Sequence, residues 1–348
     1  MMRRKWFRIA LVAVVAIVAL IASRTYSAIW SSNVTERFEK YDLYIESDSR
    51  FDSVVEQLRT DSVLVSVKSF KWVAKLKKYD RKVKSGKYLL KSGMSNNDIV
   101  NLLRSGGQTP VDVTFNNIDN VYELAGVVSS ELEADSTELV TLLTDPDYLR
   151  AKGYTRETIL GVFLPNTYVM YWNTGAEAFI ERMLREHDQY WHEGRTSAAK
   201  SIGMNPNQVS TLASIVERET VQLREMKTVA GLYINRLRRG WRLQSDPTVV
   251  FALKQDHTDT VIRRVLTTDL QIDSPYNTYL YDGLPPGPIG VPSLRAIEAV
   301  LNYEEHSYMF MCASVERPGY HEFATNLTAH NHNAARYRNW LDQQRLYR

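Results

Sequence analysis

Cysteine is nearly absent. The chain of 348 residues holds one, Cys312, so no intramolecular disulfide framework exists, and its place in the apolar run from Met309 to Ala313 reads as a buried core thiol. A large excess of one charge is also missing: 43 Lys and Arg against 40 Asp and Glu leave a net charge of +3, too mild for bulk composition to imply a polyanionic partner. No G-x-S-x-G elbow presents a nucleophilic serine. No phosphate-cradling loop is present either, because GLPPGPIG, residues 283–290, is stiffened by proline and cannot turn a row of backbone N–H groups inward. Internal repeats and low-complexity tracts are absent.

What is there begins at the first residue. MMRRKWFR leads into an uncharged apolar run from Ile9 to Ser23, closed by Arg24. At 1.5 Å per residue that run is short for a bilayer, but Trp6, Phe7 and Tyr26 suit the interfaces, and Arg8 and Arg24 can snorkel. The rival is a cleaved signal peptide, which needs small residues at a cleavage site that no clean motif here supplies. The reading is therefore a single uncleaved signal anchor over 9–26. Arg3, Arg4, Lys5 and Arg8 hold residues 1–8 in the cytoplasm, and everything after Arg24 lies outside. Residues 27–40 are polar and unpatterned, as a tether would be.

At this length two domains are expected beyond the anchor. Over 41–106, YDLYIES reads as a strand, FDSVVEQLRTDSV and SFKWVAKLKKY as helices, KSGKYLLKSGMS as a strand between glycine turns, and SNNDIVNLLRSGG as a capped helix. The module is also lysine-rich: Lys68, Lys71, Lys75, Lys77, Lys78, Arg81, Lys82, Lys84, Lys87 and Lys91 are interrupted by one acid, Asp80. Two readings compete, a solvated helix face with a turn, or a surface for phospholipid headgroups, nucleic acid or acidic wall polymers. Nucleic acid requires exposure to the cytoplasm, which the anchor's orientation opposes.

GGQTP, residues 106–110, marks a boundary. Over 107–348 the chain runs through a strand (VDVTFNNI) and two helical patterns, NVYELAGVVSSELE and STELVTLLTDPDYLRAKG. A periodic helix, GAEAFIERMLREHDQYWHEGR, and a long helical zone from Asn205 to Gly240 follow. Beyond it, Pro247, Pro275, Pro285, Pro286, Pro288 and Pro292 read as ordered loops that shape or cover a cleft.

Inside that helical zone, LASIVERET places Glu217 and Glu219 two residues apart. Helical neighbours are 100° apart, so the two point differently. Glu219 shares a face with Ile215, Val216 and Leu223, whereas Glu217 meets Ala213, Ser214, Thr220 and Val221. A carboxyl against aliphatic side chains is desolvated, which raises its pKa and suits it to donate a proton. Glu217 reads instead as a network or ion-pair partner, with Arg218 or Arg224 at hand. The bland alternative for Glu219 is a core ion pair with an arginine such as Arg236.

Several stretches in order, LASIVERET, VAGLYINRLRRGWRLQSDPTVVFAL, SPYNTYLYDGLPPGPIGVPS and YHEFATNLTAHN, together resemble the endolytic murein transglycosylases, the YceG-like proteins of the bacterial inner membrane. GVFLPNTY, residues 161–168, is similar to a further family stretch, with Asn166 where an acid is usual. The resemblance runs from about residue 110 to the C-terminus and implies an α+β fold. Its parts are an N-terminal transmembrane helix, a small LysM-like, glycan-binding type of domain over 41–106, and a larger mixed α+β catalytic domain over 107–348. It implies a lytic transglycosylase, a carbon–oxygen lyase that cuts nascent peptidoglycan strands at the MurNAc-β1,4-GlcNAc bond without water and leaves 1,6-anhydro ends. The implied localisation is the inner membrane, single-pass, with the catalytic domain outside the cytoplasm. Peptidoglycan strands are the implied partner, together with synthases of the elongation or division machinery whose polymerisation it would terminate.

By the resemblance the catalytic glutamate is Glu219, the residue that the helical-face reading also selects. Asp246 in LQSDPTV is a support that orients Glu219 or steadies charge at C1; the rival is an Asx turn before Pro247. Gln244 and Thr248 flank it as substrate-binding candidates. Tyr276, Asn277, Thr278 and Tyr279 offer amide, hydroxyl and ring surfaces for sugars, or form a packed loop. His321, Asn326, His330 and Asn331 match no zinc pattern and are read as hydrogen-bonding partners of active-site loops or of N-acetyl and lactyl groups. No cofactor and no metal are expected. A non-catalytic wall-binding scaffold of the synthesis machinery stands as the alternative.

Overall fold

Unbroken apolar sequence makes α1 (Met2–Trp30) a 29-residue helix. In this computed structural model, which describes residues 2–256, 262 and 265–344, its stretch Lys5–Trp30 has a mean hydropathy of 2.4, and none of its most apolar part is buried. That is long and apolar enough to cross a membrane. Met1 and residues 345–348, the ends of the expected domains, lie outside the described residues.

The tether expected over 27–40 is built in instead. The helix continues to Trp30, and beyond it the N–H groups of Asn33 and Val34 donate to the Met94 carbonyl at 2.8 and 3.1 Å. The side chain of Asn33 bonds Asn96 and Ser66, and Val34 is 1% exposed. Long-range backbone bonds leave no periodic signature, so the segment read as unstructured.

Two compact units follow from the contacts. One takes the chain up to Val113 with Glu131–Glu133 and Val169–Gly175; the other takes the remainder. In the first, β1 (Lys40–Ile45) pairs antiparallel with β2 (Gly86–Lys91), from Lys40 opposite Lys91 to Ile45 opposite Gly86. Alternation buries Leu43, Ile45, Tyr88 and Leu90. Against them pack α2 (Phe51–Thr60), α3 (Val67–Leu76) and α4 (Asn96–Ser105), through Leu58, Phe70, Val73, Ile99 and Leu103. The N-terminus of α4 is a Ser95/Asp98 capping box, and Gly106 closes it at φ +77°, which glycine adopts without strain.

Next come β3 (Val111–Phe115), α5 (Val121–Glu131), α6 (Ser136–Thr144) and α7 (Pro146–Ala151). Then follow β4 (Asn166–Met170), which pairs with β3, α8 (Ala176–Tyr190) and α9 (Glu193–Ser201). The pattern over 136–153 is split by Pro146, which opens α7 while the Asp145 side chain caps it by accepting from the N–H groups of Asp147 and Tyr148.

The second unit is centred on α10 (Pro206–Glu219), whose residues Val209–Val216 are all buried. It packs with α11 (Met226–Arg238) and α13 (Leu294–Leu301) through Leu212, Ile215, Val216, Val229, Tyr233 and Ile297. The single long zone expected here is thus two helices. Thr220 leaves α10 in extended conformation (φ −142°, ψ 133°), and Leu223 is 52% exposed rather than one turn onward.

After Gly240, where loops were expected, α12 (Asp246–Asp256) starts with Pro247 in its first turn. Ser293 caps α13, β5 (Phe310–Ala313) pairs antiparallel with β6 (His321–Ala324), and Asn326 caps α14 (Leu327–Gln343). Cys312 sits on β5 half-buried, not in the core as its apolar neighbours suggested.

Candidate active site

Because Glu219 is the last residue of α10, its carboxyl stands at the helix end, where other elements reach it. Tyr233, on α11, donates its hydroxyl to Glu219 Oε1 at 2.6 Å, and Ser245 donates to the same oxygen at 2.5 Å. Both donors are buried, at 0% and 1% exposure. Oε2 has no protein hydrogen-bond partner among the described residues. Burial pushes the carboxyl above its ordinary value; the Ser245 and Tyr233 hydroxyls and the nearby His321 pull it down, and Asp246 pushes it up. Desolvation was expected from aliphatic neighbours on one helix face, but the groups that touch the carboxyl come from α11 and from the chain before α12. Burial likewise drives Tyr233 well above its usual pKa, so it stays a hydroxyl donor.

The bland alternative, a Glu219–Arg236 ion pair, is not formed. Arg236 spends its Nε on the Met309 carbonyl at 2.8 Å and its Nη1 on the Leu243 carbonyl. Glu217 is engaged by neither Arg218 nor Arg224: its Oε2 accepts the Ser293 N–H at 2.8 Å, which anchors the start of α13.

Asp246 is exposed and begins α12, so the Asx-turn reading gives way to a helix start. It does not bond Glu219. Its Oδ1 accepts the Tyr279 hydroxyl at 2.5 Å, and the tyrosine is raised above its usual pKa, by burial first and then by that carboxylate. Gln244 is exposed at φ +49°, its N–H donating to the Thr278 carbonyl at 3.0 Å.

Thr248, Asn277 and Thr278 are 0%, 0% and 2% exposed, and their polar groups are committed within the protein. Thr278 Oγ1 accepts the Ser245 N–H at 3.0 Å and lies 2.9 Å from Thr248 Oγ1, while Asn277 Nδ2 donates to the carbonyls of Leu270 and Ile272. Tyr276 is packed at 4.6 Å from the Phe251 ring. These four were read as substrate contacts; burial corrects that reading to a frame that holds Ser245 and Tyr279 in place.

Of the C-terminal set, only His321 reaches the carboxyl's surroundings. Its backbone N–H and Nδ1 meet Glu225 at 2.7 and 3.1 Å. Asn326 caps α14, the His330 ring stacks on Phe310 at 5.2 Å, and Asn331 is exposed. None of their side chains bonds Glu219, Tyr233, Ser245 or His321 among the described residues. Sequence reasoning missed Tyr233, Ser245 and Glu225. Ser245 lay beside Asp246 in LQSDPTV and was the one with a signal; Tyr233 is separated from Glu219 by a helix break that the pattern does not announce, and Glu225 from His321 by 96 residues.

A cleft of about 810 Å³ is lined by Arg218 and Asp246, the chain neighbours of Glu219 and Ser245, and by Phe251, Val250, Lys254 and Asp119, among others. Arg218 pairs with Asp119, and Lys254 lies 3.6 Å from the same carboxylate. Apolar and charged side chains both line the cleft, as in a ligand groove.

Fold and site together define an α+β protein with an apolar N-terminal helix, a desolvated carboxyl held by hydroxyl donors, and a groove lined by that carboxyl's chain neighbour Arg218. The chain belongs to the YceG-like family, whose model matches residues 43–336. It is 29% identical over 300 residues to the endolytic murein transglycosylase of Streptococcus pneumoniae serotype 2, covering 78% of this chain and 53% of that protein. It is 28% identical over 303 residues to the protein of the same name from Bacillus subtilis, covering 82% of each. A solved YceG-like protein from Listeria monocytogenes superposes with a TM-score of 0.56 at 26% identity, over 84% of this chain and 98% of that one. The chain spans about half the length of the pneumococcal relatives.

Proposed function

We propose that this chain is a membrane-anchored lytic transglycosylase that cuts peptidoglycan glycan strands at the MurNAc-β1,4-GlcNAc bond, with Glu219 as its acid and then its base. The observation that carries the reading is the asymmetric carboxyl: Oε1 held by two buried hydroxyls, Oε2 without a protein partner among the described residues, and a pKa raised by burial.

In that state Oε2 carries a proton at the pH where an exposed glutamate would not. It gives the proton to the glycosidic oxygen as the C1–O bond breaks. The sugar's own C6 hydroxyl then bonds to C1 and returns its proton to Glu219, so no water enters and the carboxyl ends as it began. A nucleophile tethered beside C1 supplies the effective molarity that a second enzyme carboxylate supplies in hydrolases. The Tyr233 and Ser245 hydroxyls fix the carboxyl's orientation in both steps, and Asp246, bound by Tyr279, is assigned to favour positive charge developing at C1.

The orientation carried with this reading puts the N-terminus in the cytoplasm and the catalytic unit outside it, in line with the basic residues before the apolar run. The module over 41–106, with its strand, helix, helix, strand, helix order, is carried as the LysM-like glycan-binding part, and synthases of the elongation or division machinery as partners that supply nascent strands. The experiment is digestion of purified peptidoglycan by wild type and Glu219→Gln: cleavage by wild type alone supports the assignment, and equal cleavage by both sinks it.

A further inference from the structure

The lysine-rich stretch takes no part in the chemistry above. Three of its members are spent inside the module: Lys77 on Asn97 and Asn101, Lys84 on the Ser105 carbonyl, and Lys87 on Asp42. Lys68, Lys71 and Lys75 are different. All three are exposed on α3, and none has an ion-pair or hydrogen-bond partner among the described residues. On the same face stand Trp72, 43% exposed, and Leu76, 59% exposed, while Phe70, Val73 and Ala74 fill the buried side. Spacings of three and four residues put the five into one stripe. Lysines flanking an exposed tryptophan and leucine are the composition of a helix that lies at a lipid interface, its ring and aliphatic tip among headgroups and its ammonium groups on phosphates.

The position of this face is not free. The Ala28 carbonyl, near the end of α1, accepts from Asn96 Nδ2 at 2.9 Å, and the same nitrogen reaches Ser69 Oγ on α3 at 2.9 Å. Ile29 packs into the module core. The first turn of α3 is therefore level with the last turn of α1. The 26 residues from Lys5 to Trp30 span about 39 Å as a helix, close to the ~40–45 Å of a bilayer with its headgroups. That arithmetic leaves Ala28 and the first turn of α3 at headgroup height, where lipid charge is felt over a Debye length of about 8 Å.

We propose that the exposed face of α3, Lys68, Lys71, Trp72, Lys75 and Leu76, docks on anionic phospholipid headgroups of the membrane that α1 crosses. The proposal rests on α1 being a membrane span and is independent of the chemistry at Glu219.

The test uses the full chain in a Cys312→Ser background, reconstituted into vesicles of phosphatidylcholine with or without phosphatidylglycerol. A spin label is placed at Leu76→Cys or, separately, at Val18→Cys, and depth is read from oxygen against water-soluble relaxant. The expected result is a Val18 label in the acyl layer in every vesicle. The Leu76 label should lie at headgroup depth with phosphatidylglycerol, and move into water without it or in a Lys68→Glu, Lys71→Glu, Lys75→Glu variant. A Leu76 label in water throughout, with Val18 deep, overturns the docking while leaving the anchor standing. A Val18 label outside the acyl layer overturns the anchor, and the docking falls with it. Charge-dependent retention on purified glycan strands, with the Leu76 label in water, assigns the face to wall polymer and overturns the lipid proposal.

Discussion

At Glu219 the physics of one oxygen against the other makes distinct demands. Glu219→Gln removes the proton that the leaving oxygen needs, and the expected loss is about 10²–10⁴-fold in turnover. The same substitution acts on stability. Because the folded-state pKa is raised, the folded protein holds its proton where the unfolded chain has lost it, so stability falls as pH rises from the ordinary glutamate range through the raised value. Glutamine lacks that penalty, and thermal melts near neutral pH should place Glu219→Gln above wild type, with the gap closing in acid. Ser245→Ala deletes a hydroxyl that lowers the carboxyl's pKa. The alkaline limb of the pH–rate profile should therefore move upward, with a loss of about tenfold for a hydrogen bond worth ~1.5 kcal/mol; an unmoved limb would show that Ser245 does not orient the acid. Helical spacing, by way of aliphatic neighbours such as Leu223, which is exposed, pointed to Glu219. Its true surroundings were illegible because Tyr233 and Ser245 lie 14 and 26 residues onward, past a helix end without glycine or proline to mark it.

Among the elements, α10 and α13 are locked by Glu217, whose carboxylate accepts the Ser293 N–H. Glu217→Gln keeps an oxygen acceptor there, so its expected cost is a small loss of stability and much less activity than Glu219→Gln; rate measurements on the two variants side by side give the order. The proline-rich turn is set by close approach: a Cβ on Gly287 would sit 1.8 Å from the Glu157 carbonyl oxygen. Gly287→Ala should destabilise by about 1–3 kcal/mol, read by denaturant unfolding. The strands and helices over 41–106 were legible because alternation, amphipathic period and capping residues agree there. After Gly240 they were not. Seven prolines punctuate that sequence, yet Pro247 opens α12, and strands of only four residues, β5 and β6, are too short to show a period.

For the whole molecule, the anchor and the first unit are one piece of construction. Ile29, Asn33 and Val34 belong to the module's core and hydrogen-bond network, so a chain begun at Lys40 should be less stable than one begun at Ala28. The difference expected is roughly 2–3 kcal/mol from the lost burial of Val34 alone, measured by urea unfolding. The central claim is that one carboxyl cuts glycan without water, and mass spectrometry of peptidoglycan digested by the full chain tests it most directly. Anhydromuramoyl ends from wild type, and no new ends from Glu219→Gln, are the expected result. Reducing ends, or anhydro ends produced equally by the glutamine variant, would contradict it.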